Sequence, residues 1–318
     1  MRWKKLGKIF DPVEHQIPNN CVEFSQAPQS LVLQDRVRIY YSTREKDASG
    51  KYLSHVAYVD FSRDMKEIIG TSQHTVIPLG KLGCFDEHGI FPFNVLKDGD
   101  RVLAYTTGCN RKSSVPVDAA IGLAISHDDG QTFSRIGLGG PIVAATLHEP
   151  FLVADAFVQR YGDTFYMWYI YGTKWLKFAD SGQHERVYKI AQATSPDGLH
   201  WNRDGKHIIE SKLDENECQA LPTVIFHAGK YHMYFCYREA HGFRKESGRG
   251  YRLGYAYSLD LIHWVRDDAN AGIDLSAEGW DSEMQCYPHL FECDGKIYLI
   301  YNGNEFGRRG FGLAVLEN

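Results

Sequence analysis

The sequence predicts an all-β protein, a five-bladed β-propeller, from three observations. First, one pattern recurs five times, and its anchor residues Pro28, Pro92, Ala156, Pro222 and Pro288 are separated by 64, 64, 66 and 66 residues. A period this regular over the whole chain indicates one supersecondary unit copied five times. Second, each repeat contains short aromatic and β-branched segments joined by turn residues. Third, no segment shows a 3.6-residue apolar period of helical length.

Each repeat carries its strand signals in the same order. After the apolar segment at the anchor, a turn leads to an aromatic-rich second strand, predicted at 36–41, 101–105, 164–169, 230–235 and 296–301. A third strand, in which small residues alternate with large ones, is predicted at 54–58, 121–125, 189–193, 253–257 and 311–315. Asp/Gly turns at 126–133 and 195–201, and a related turn at 258–264, lead into a fourth strand. Four antiparallel strands repeated radially make propeller blades.

The repeats predict a single domain over residues 1–318, with four antiparallel strands in each blade. The blades cover approximately residues 20–80, 81–145, 146–212, 213–275 and 276–318 together with 2–10. The last repeat ends after its third strand, and segment 2–10 resembles the fourth-strand segments 133–136 and 201–208. We therefore predict that residues 2–10 form the outer strand of the last blade and close the ring, which removes an exposed sheet edge.

Composition narrows the classes of function. A chain of 318 residues with 43 % hydrophobic residues can bury a large core. A net charge of −5 and a pI near 6.3 give no electrostatic attraction to nucleic acid or to anionic membranes. No apolar stretch has the length of a signal peptide core or a membrane span, so we expect a cytoplasmic protein without membrane insertion.

Cysteine and histidine spacing gives no sign of a metal site. The seven cysteines form no C-x-x-C pair, and the 14 histidines show no ligand spacing typical of zinc. We therefore expect neither a metal nor another cofactor. The sequence leaves the oligomeric state open.

Blade topology places the candidate site. In an up-and-down blade, the connection into the first strand and the loop between the second and third strands lie on the same face, next to the central channel. A glutamate lies five residues ahead of four of the five anchors, at Glu23, Glu87, Glu217 and Glu283. We expect acidic residues from distant parts of the chain to converge there.

The residue types on this face suit a carbohydrate. Carboxylates perform acid and base catalysis at a glycosidic oxygen, Arg and Asn bind hydroxyl groups, and a Trp face stacks on a sugar ring. The candidate catalytic residues are Glu283, Asp86, Glu217 and Asp155. The candidate substrate-binding residues are Arg44, Glu87, His88, Asn110, Lys174, Trp175, Arg238, Asp281 and Asn302.

Several motifs resemble a known superfamily. The Gly-Leu-Ala third strands, the Asp/Gly turns, and segments 83–89, 173–175, 279–288 and 311–317 are similar to the five-bladed propeller glycosidases. That superfamily includes glycoside hydrolase families 32, 43, 68 and 117 and the mannoside phosphorylases. The likeness is greatest to bacterial glycosidase-like propellers found with polysaccharide-biosynthesis genes. The resemblance implies carboxylates on the first, the second or third, and a later blade, but segment 23–28 lacks the first-blade Asp.

These observations predict a carbohydrate-active enzyme, most simply a glycoside hydrolase with paired carboxylates. Glu283 is assigned as proton donor and Asp86 as base, and Glu217 or Asp155 adjusts their pKa. A glycosyltransferase or transglycosidase of polysaccharide biosynthesis, a phosphorylase, and a non-catalytic glycan-binding propeller remain alternatives. Segment 126–133 also fits the Asp-box of sialidases, but those have six blades, whereas five repeats occur here.

Overall fold

The computed structural model describes residues 1–178, 182, 184–246 and 248–317, and these are arranged almost entirely in β-strands. This confirms the all-β prediction. Within the described residues, helix is confined to two 3-10 turns, Pro12–Glu14 and Asp268–Asn270, and one short helical segment, α1 (Asn304–Gly307). In the described part of the chain, no helix is long and apolar enough to span a membrane.

Nineteen strands are found in the described residues. In chain order they are β1 (Trp3–Phe10), β2 (Glu23–Val32), β3 (Val37–Lys46), β4 (Tyr52–Phe61), β5 (Ile68–Thr71), β6 (Gly89–Asp98), β7 (Arg101–Asn110), β8 (Asp118–Ser126), β9 (Ser134–Arg135), β10 (Val153–Tyr161), β11 (Thr164–Lys177), β12 (His184–Ser195), β13 (Cys218–His227), β14 (Lys230–Arg238), β15 (Arg252–Ser258), β16 (Trp264–Arg266), β17 (Cys286–Cys293), β18 (Lys296–Asn302) and β19 (Phe311–Leu316).

The strands form antiparallel meanders in chain order. One eight-stranded sheet contains two successive meanders, β2–β5 and β6–β9, which are joined by a single parallel bridge between Ser54 and Gly89. The remaining sheets have the orders β10-β11-β12, β13-β14-β15-β16 and β1-β19-β18-β17. We call β2–β5, β6–β9, β10–β12, β13–β16 and β17–β19 with β1 units 1 to 5.

The N-terminal strand lies where the sequence predicts it. Strand β1 pairs antiparallel with β19, with Trp3 opposite Leu316 and Phe10 opposite Phe311. The N-terminal segment therefore supplies the outer strand of the last sheet. Trp3 also enters the core, where its indole Nε1 donates a hydrogen bond of 2.7 Å to the Tyr234 hydroxyl.

The expectation of four strands in every unit is wrong for unit 3. The segment that follows β12 makes only two isolated bridges, Ala191 to His207 and Thr194 to Asn202. Between those bridges, Gly205 has a φ of +69° and the Asp204 carboxylate accepts the amide of Lys206. This turn interrupts the ladder that a continuous strand would need.

Each first strand contains a β-bulge at its anchor. The pairing register between the first and second strands shifts there in all five units. The backbone is left-handed at Ala27, Asp155, Leu221 and Tyr287, and the Phe91–Pro92 peptide bond of unit 2 is cis. The period in the sequence therefore marks one backbone irregularity that recurs in every unit.

Polar groups at these bulges link the first strands of successive units. His289 can accept in one of these bonds because burial lowers the pKa of its imidazole to about 3, which leaves the ring neutral. The bonds are Asn94 Nδ2 to Gln29 Oε1 (2.9 Å), Val158 N to Asn94 Oδ1 (2.9 Å), Leu221 N to Asp155 Oδ2 (3.2 Å), Leu290 N to Thr223 Oγ1 (2.9 Å) and Ser30 N to His289 Nε2 (3.0 Å).

Candidate functional site

A cavity of about 580 Å³ lies where the starts of the first strands meet the ends of the second strands. Phe24 on β2, Phe91 on β6 and Tyr287 on β17 contribute from the first strands. Arg44 at the end of β3 and Arg238 at the end of β14 contribute from the second strands. Its volume falls within the range of small-molecule sites.

Asp155 lines a smaller pocket that adjoins this cavity. A smaller pocket of about 90 Å³ contains Asp155 and shares Phe91, Arg186, Tyr188 and other residues with the larger cavity. The bulge on β10 gives Asp155 a φ of +57° and leaves it 6 % exposed. Its carboxylate accepts the Leu221 amide at 3.2 Å.

The environment of Asp155 changes its acidity. Burial raises the pKa of this carboxyl to about 7, against the opposing effects of the Leu221 amide and the positive charge of Arg186. At neutral pH the group is therefore divided between its protonated and ionised forms. A carboxyl in this state can both donate and accept a proton.

Arginines dominate the cavity wall. They are Arg44, Arg111, Arg186, Arg238, Arg244 and Arg308.

Three of these arginines have carboxylate partners. Arg111 pairs with Asp47 at 2.6 Å, Arg308 pairs with Glu23 at 2.6 Å, and Arg244 pairs with Glu185. Arg44, Arg186 and Arg238 have no carboxylate within 4 Å among the described residues.

Aromatic side chains fill much of the remaining wall. Tyr287 meets Phe91 edge to face at a centroid distance of 5.3 Å, and the hydroxyl groups of Tyr188 and Tyr251 are hydrogen-bonded to each other. Burial raises the pKa of all three tyrosines, so they remain neutral. Burial also raises the pKa of the Cys109 thiol to about 12, which argues against a thiolate nucleophile here.

Three predicted site carboxylates lie instead in buried ion pairs with the outer strands. Asp86 accepts from Arg135 on β9 at 2.7 Å, and Glu217 accepts from Arg266 on β16 at 2.6 Å. Asp281 pairs with Lys5 on β1 at 2.7 Å. None of the three lines the cavity.

Unit 3 repeats the arrangement. There the buried Glu149 pairs with Arg203 and also accepts the Tyr169 hydroxyl. We call these four carboxylate–cation pairs the unit clamps, because each fixes the start of a first strand to the outer edge of its own unit.

Glu283 lies on an exposed loop outside the cavity, and its amide donates to Asn304 Oδ1 at 2.9 Å. The pair that the sequence suggests, Glu283 with Asp86, is therefore not brought together at the cavity. Glu87 also lies outside the lining, where its carboxylate accepts the Gly83 amide.

Three predicted binding residues have other surroundings. Lys174 pairs with Glu215 at 3.0 Å, and Trp175 packs against the hydrophobic core instead of facing the cavity. Asn302 is fully buried, where its amide group binds the Ser25 and Gly310 carbonyls and its oxygen accepts the Ala27 amide.

Of the predicted site residues, the cavity and the adjoining pocket bring together Asp155, Arg44, His88, Asn110 and Arg238. Sequence reasoning missed the contributions of Arg186, Arg244 and Arg308. No spacing pattern marks these arginines, because they lie on loops and strand ends whose lengths differ between repeats.

Two curated proteins align with the whole sequence. They are the uncharacterized proteins MT1551 and Rv1502 of two Mycobacterium tuberculosis strains, each 33 % identical over 323 residues that cover 100 % of both chains. The chain belongs to their family. No family model matches the sequence.

The fold of this chain is shared with solved structures of glycoside hydrolases and of a phosphorylase. A structure described as a glycoside hydrolase has a TM-score of 0.74 at 16 % identity, covering 99 % of this chain and 93 % of the other. A β-1,2-mannobiose phosphorylase from Listeria innocua has a TM-score of 0.69 at 12 % identity, with coverages of 99 % and 96 %. A thermostable family-43 glycoside hydrolase scores 0.67 at 17 % identity, covering 92 % and 89 %. This chain therefore shares its overall fold with these enzymes, in agreement with the resemblance found in the sequence motifs.

Proposed function

We propose that this protein is a carbohydrate-active enzyme that breaks or forms a glycosidic bond in the arginine-lined cavity, with Asp155 as its proton-transferring group. The observation that carries the proposal is a buried carboxyl in the pocket adjoining the cavity, whose pKa is raised to about 7. Perturbed carboxyls in a cleft are typical of acid and base catalysts. The fold shared with hydrolases and a phosphorylase supports the substrate class.

The proposal includes a five-bladed ring in a single domain over residues 1–318, with its closure provided by β1. The hydrogen bonds between the first strands of each successive pair of units, including unit 5 with unit 1, support this arrangement. So does the pairing of β1 with β19. In such a ring, five first strands surround one channel, and the cavity is its mouth.

The cavity chemistry changes the mechanism expected from sequence. Hydrolysis with two carboxylates needs a second acid at about 5–9.5 Å from the first. In the described lining, Glu305 at the rim is the carboxylate available besides Asp155, and it already pairs with Arg308 at 3.4 Å. We therefore assign Asp155 as proton donor to the glycosidic oxygen. Glu305 is the candidate base when water is the acceptor.

The test compares Asp155→Asn with Glu283→Gln on a panel of oligosaccharides and aryl glycosides, with and without added phosphate or acceptor sugar. We expect Asp155→Asn to lower kcat by about 10²–10⁴-fold, the usual contribution of a general acid. Glu283→Gln, altered outside the cavity, should retain the wild-type rate. The rate of the wild-type enzyme, plotted against pH, should change near pH 7, where Asp155 titrates.

The reverse result, an active Asp155→Asn protein and an inactive Glu283→Gln protein, would restore the assignment made from sequence. Products formed with and without acceptor separate hydrolysis from transfer. Saturable glycan binding without any turnover would instead identify a glycan-binding propeller and contradict the enzymatic proposal.

A further inference from the structure

Among the described residues, the guanidinium groups of Arg44 and Arg238 in the cavity wall lack the carboxylate that normally accompanies a buried cation. Arg238 is 2 % exposed, and Arg44 is half-buried. Neither has a carboxylate within 4 Å among the described residues, although Arg111, Arg244 and Arg308 in the same wall do. Burying an unpaired ion costs several kcal/mol, so an uncompensated pair of this kind indicates a missing anion.

Aromatic faces hold both guanidinium groups in place. The Arg44 guanidinium carbon lies 4.5 Å from the ring centroid of Phe24 and 5.5 Å from that of Tyr52. The Arg238 guanidinium carbon lies 3.4 Å from the ring centroid of Phe243. Such contacts stabilise a cation without neutralising it. They therefore preorganise the charge while leaving it available to a ligand.

Free hydrogen-bond donors remain on both side chains. The Nε atoms of Arg44 and Arg238 are buried and have no hydrogen-bond partner in the described part of the chain. Arg238 uses its other nitrogens on the Tyr188 hydroxyl at 2.9 Å and on the Glu239 carbonyl at 2.7 Å, which fixes its orientation. Burial lowers the pKa of Arg44, and the neighbouring positive charge of Arg244 acts in the same direction. An anion bound beside Arg44 would offset the repulsion between the positive charges of Arg44 and Arg244.

Unpartnered acceptors lie in the same cavity. The side-chain oxygens Gln26 Oε1 and Asn110 Oδ1 are buried, and no described residue donates a hydrogen bond to either of them. Both residues line the wall. Buried amide oxygens usually have a partner, so these also indicate a missing ligand group. Sugar hydroxyls are donors that fit them. The cavity thus offers donors for an anion and acceptors for hydroxyl groups.

We infer that the cavity binds a saccharide that carries a phosphate group, with Arg44 and Arg238 holding the phosphate and Gln26 and Asn110 receiving sugar hydroxyls. The saccharide part of this inference rests on the proposed function. A phosphate ester carries up to two negative charges and has several terminal oxygens, so it can offset two guanidinium groups that approach from different strands. A carboxylate fits less well, because it carries a single negative charge and its two oxygens lie in one plane.

The test is direct binding by isothermal titration calorimetry, independent of turnover. The probes are the 1-phosphates of glucose, galactose and mannose, the matching uridine diphosphate sugars, the free sugars, glucuronate and inorganic phosphate. We expect at least one phosphorylated sugar to bind about tenfold or more tightly than its free sugar and than inorganic phosphate. Arg44→Gln should weaken that binding about tenfold or more, as the loss of a charge-assisted hydrogen bond does.

Controls separate charge from folding. Arg101→Gln removes an arginine paired with Asp98 outside the cavity and should leave affinity unchanged. Arg238→Gln should weaken binding like Arg44→Gln. Arg238 is buried, and its replacement can unfold the protein. The decisive variant is therefore Arg44→Gln, because Arg44 is only half-buried.

The outcomes are distinct. Binding of inorganic phosphate as tight as that of any phosphosugar would show that free phosphate is the occupant and overturn the inference. Preference for glucuronate or equal affinity for free sugars would also overturn it. Tight phosphosugar binding without Asp155-dependent turnover would support the inference and contradict the proposed function. Asp155-dependent turnover of neutral glycosides without phosphosugar binding would support the proposed function and contradict the inference.

Discussion

Asp155 links the stability of the protein to pH. Its pKa is raised from 3.8 to about 7 by burial, so the folded protein holds a proton that the unfolded chain releases at lower pH. Between about pH 4 and pH 7 the unfolded state binds fewer protons at this site, and folding stability falls as pH rises. The fall amounts to at most about 1.4 kcal/mol per pH unit and ends above the folded pKa.

We therefore predict that Asp155→Asn is stabilised relative to the wild type as pH increases. Asparagine cannot ionise, and its side-chain oxygen can still accept the Leu221 amide. The difference in free energy of unfolding between the two proteins should grow from pH 5 to pH 7.5, as measured by urea denaturation. A difference that stays constant over this range would show that the Asp155 carboxyl titrates normally.

The unit clamps predict a structural role for acidic residues that sequence assigns to catalysis. Glu217 is fully buried and accepts hydrogen bonds from Arg266, from Gln219 and from the amides of Lys212 and Leu213. Glu217→Ala should lower the free energy of unfolding by about 3 kcal/mol or more, because it leaves buried donors unpaired. Thermal or urea denaturation measures the loss.

Glu215 provides a matched control on the same loop. It is exposed and pairs with Lys174 at the surface, so Glu215→Ala should change stability by about 0.5 kcal/mol or less. Equal stability of the Glu217→Ala and Glu215→Ala proteins would contradict the clamp.

At the residue scale, sequence predicts the type of site better than its members. Arg44 is found in the cavity wall and Asp155 in the adjoining pocket, because their positions follow directly from the repeat. Asp86 and Glu217 follow from the same repeat, but their partners Arg135 and Arg266 lie about 50 residues further along the chain. No local pattern indicates that an outer strand will neutralise a carboxylate at the start of a first strand.

Among the secondary-structure elements, β1 has the most testable role. It brings Trp3 into the core and completes the last sheet by pairing with β19. Trp3→Ala should destabilise the protein by about 3–5 kcal/mol, the usual cost of truncating a buried Trp. Deletion of residues 1–10 should prevent folding, as judged by circular dichroism and soluble yield.

The neighbouring Lys4 is exposed on the same strand, so Lys4→Ala should leave stability within about 0.5 kcal/mol of the wild type. A deletion variant that melts like the full chain would show that β1 is dispensable for the last sheet.

The elements themselves follow closely from sequence. The aromatic second strands and the alternating third strands are found where predicted, because hairpin turns and residue alternation are local signals. The fourth strand of unit 3 is the exception. Its segment carries an aromatic residue after a turn like its counterparts, but the turn at Gly205 limits it to isolated bridges.

At the scale of the whole molecule, the two ends of the chain lie side by side, since Trp3 is opposite Leu316. We predict that joining the ends with a short flexible linker and opening the chain between Leu138 and Gly139 preserves the fold. Leu138 is fully exposed in the connection between units 2 and 3. Exposed loop tips of this kind are the usual sites of successful permutation.

The melting temperature and far-ultraviolet circular dichroism of the permuted chain measure this prediction. They should match those of the natural order, because every sheet keeps its strands. Loss of cooperative melting in the permuted chain would indicate that the order of synthesis, and not only the pairing of strands, is needed to assemble the molecule.

The recurring bulge provides a position in each first strand where the side chain can change while the fold is kept. Ala27, Asp155 and Leu221 occupy equivalent positions with left-handed backbone, a conformation that Asp and Asn adopt more readily than other non-glycine residues. Exchanging one of these side chains for an acid therefore disturbs the backbone little. A descendant could acquire or discard a reactive group there by a single codon change, while its five sheets stay as they are.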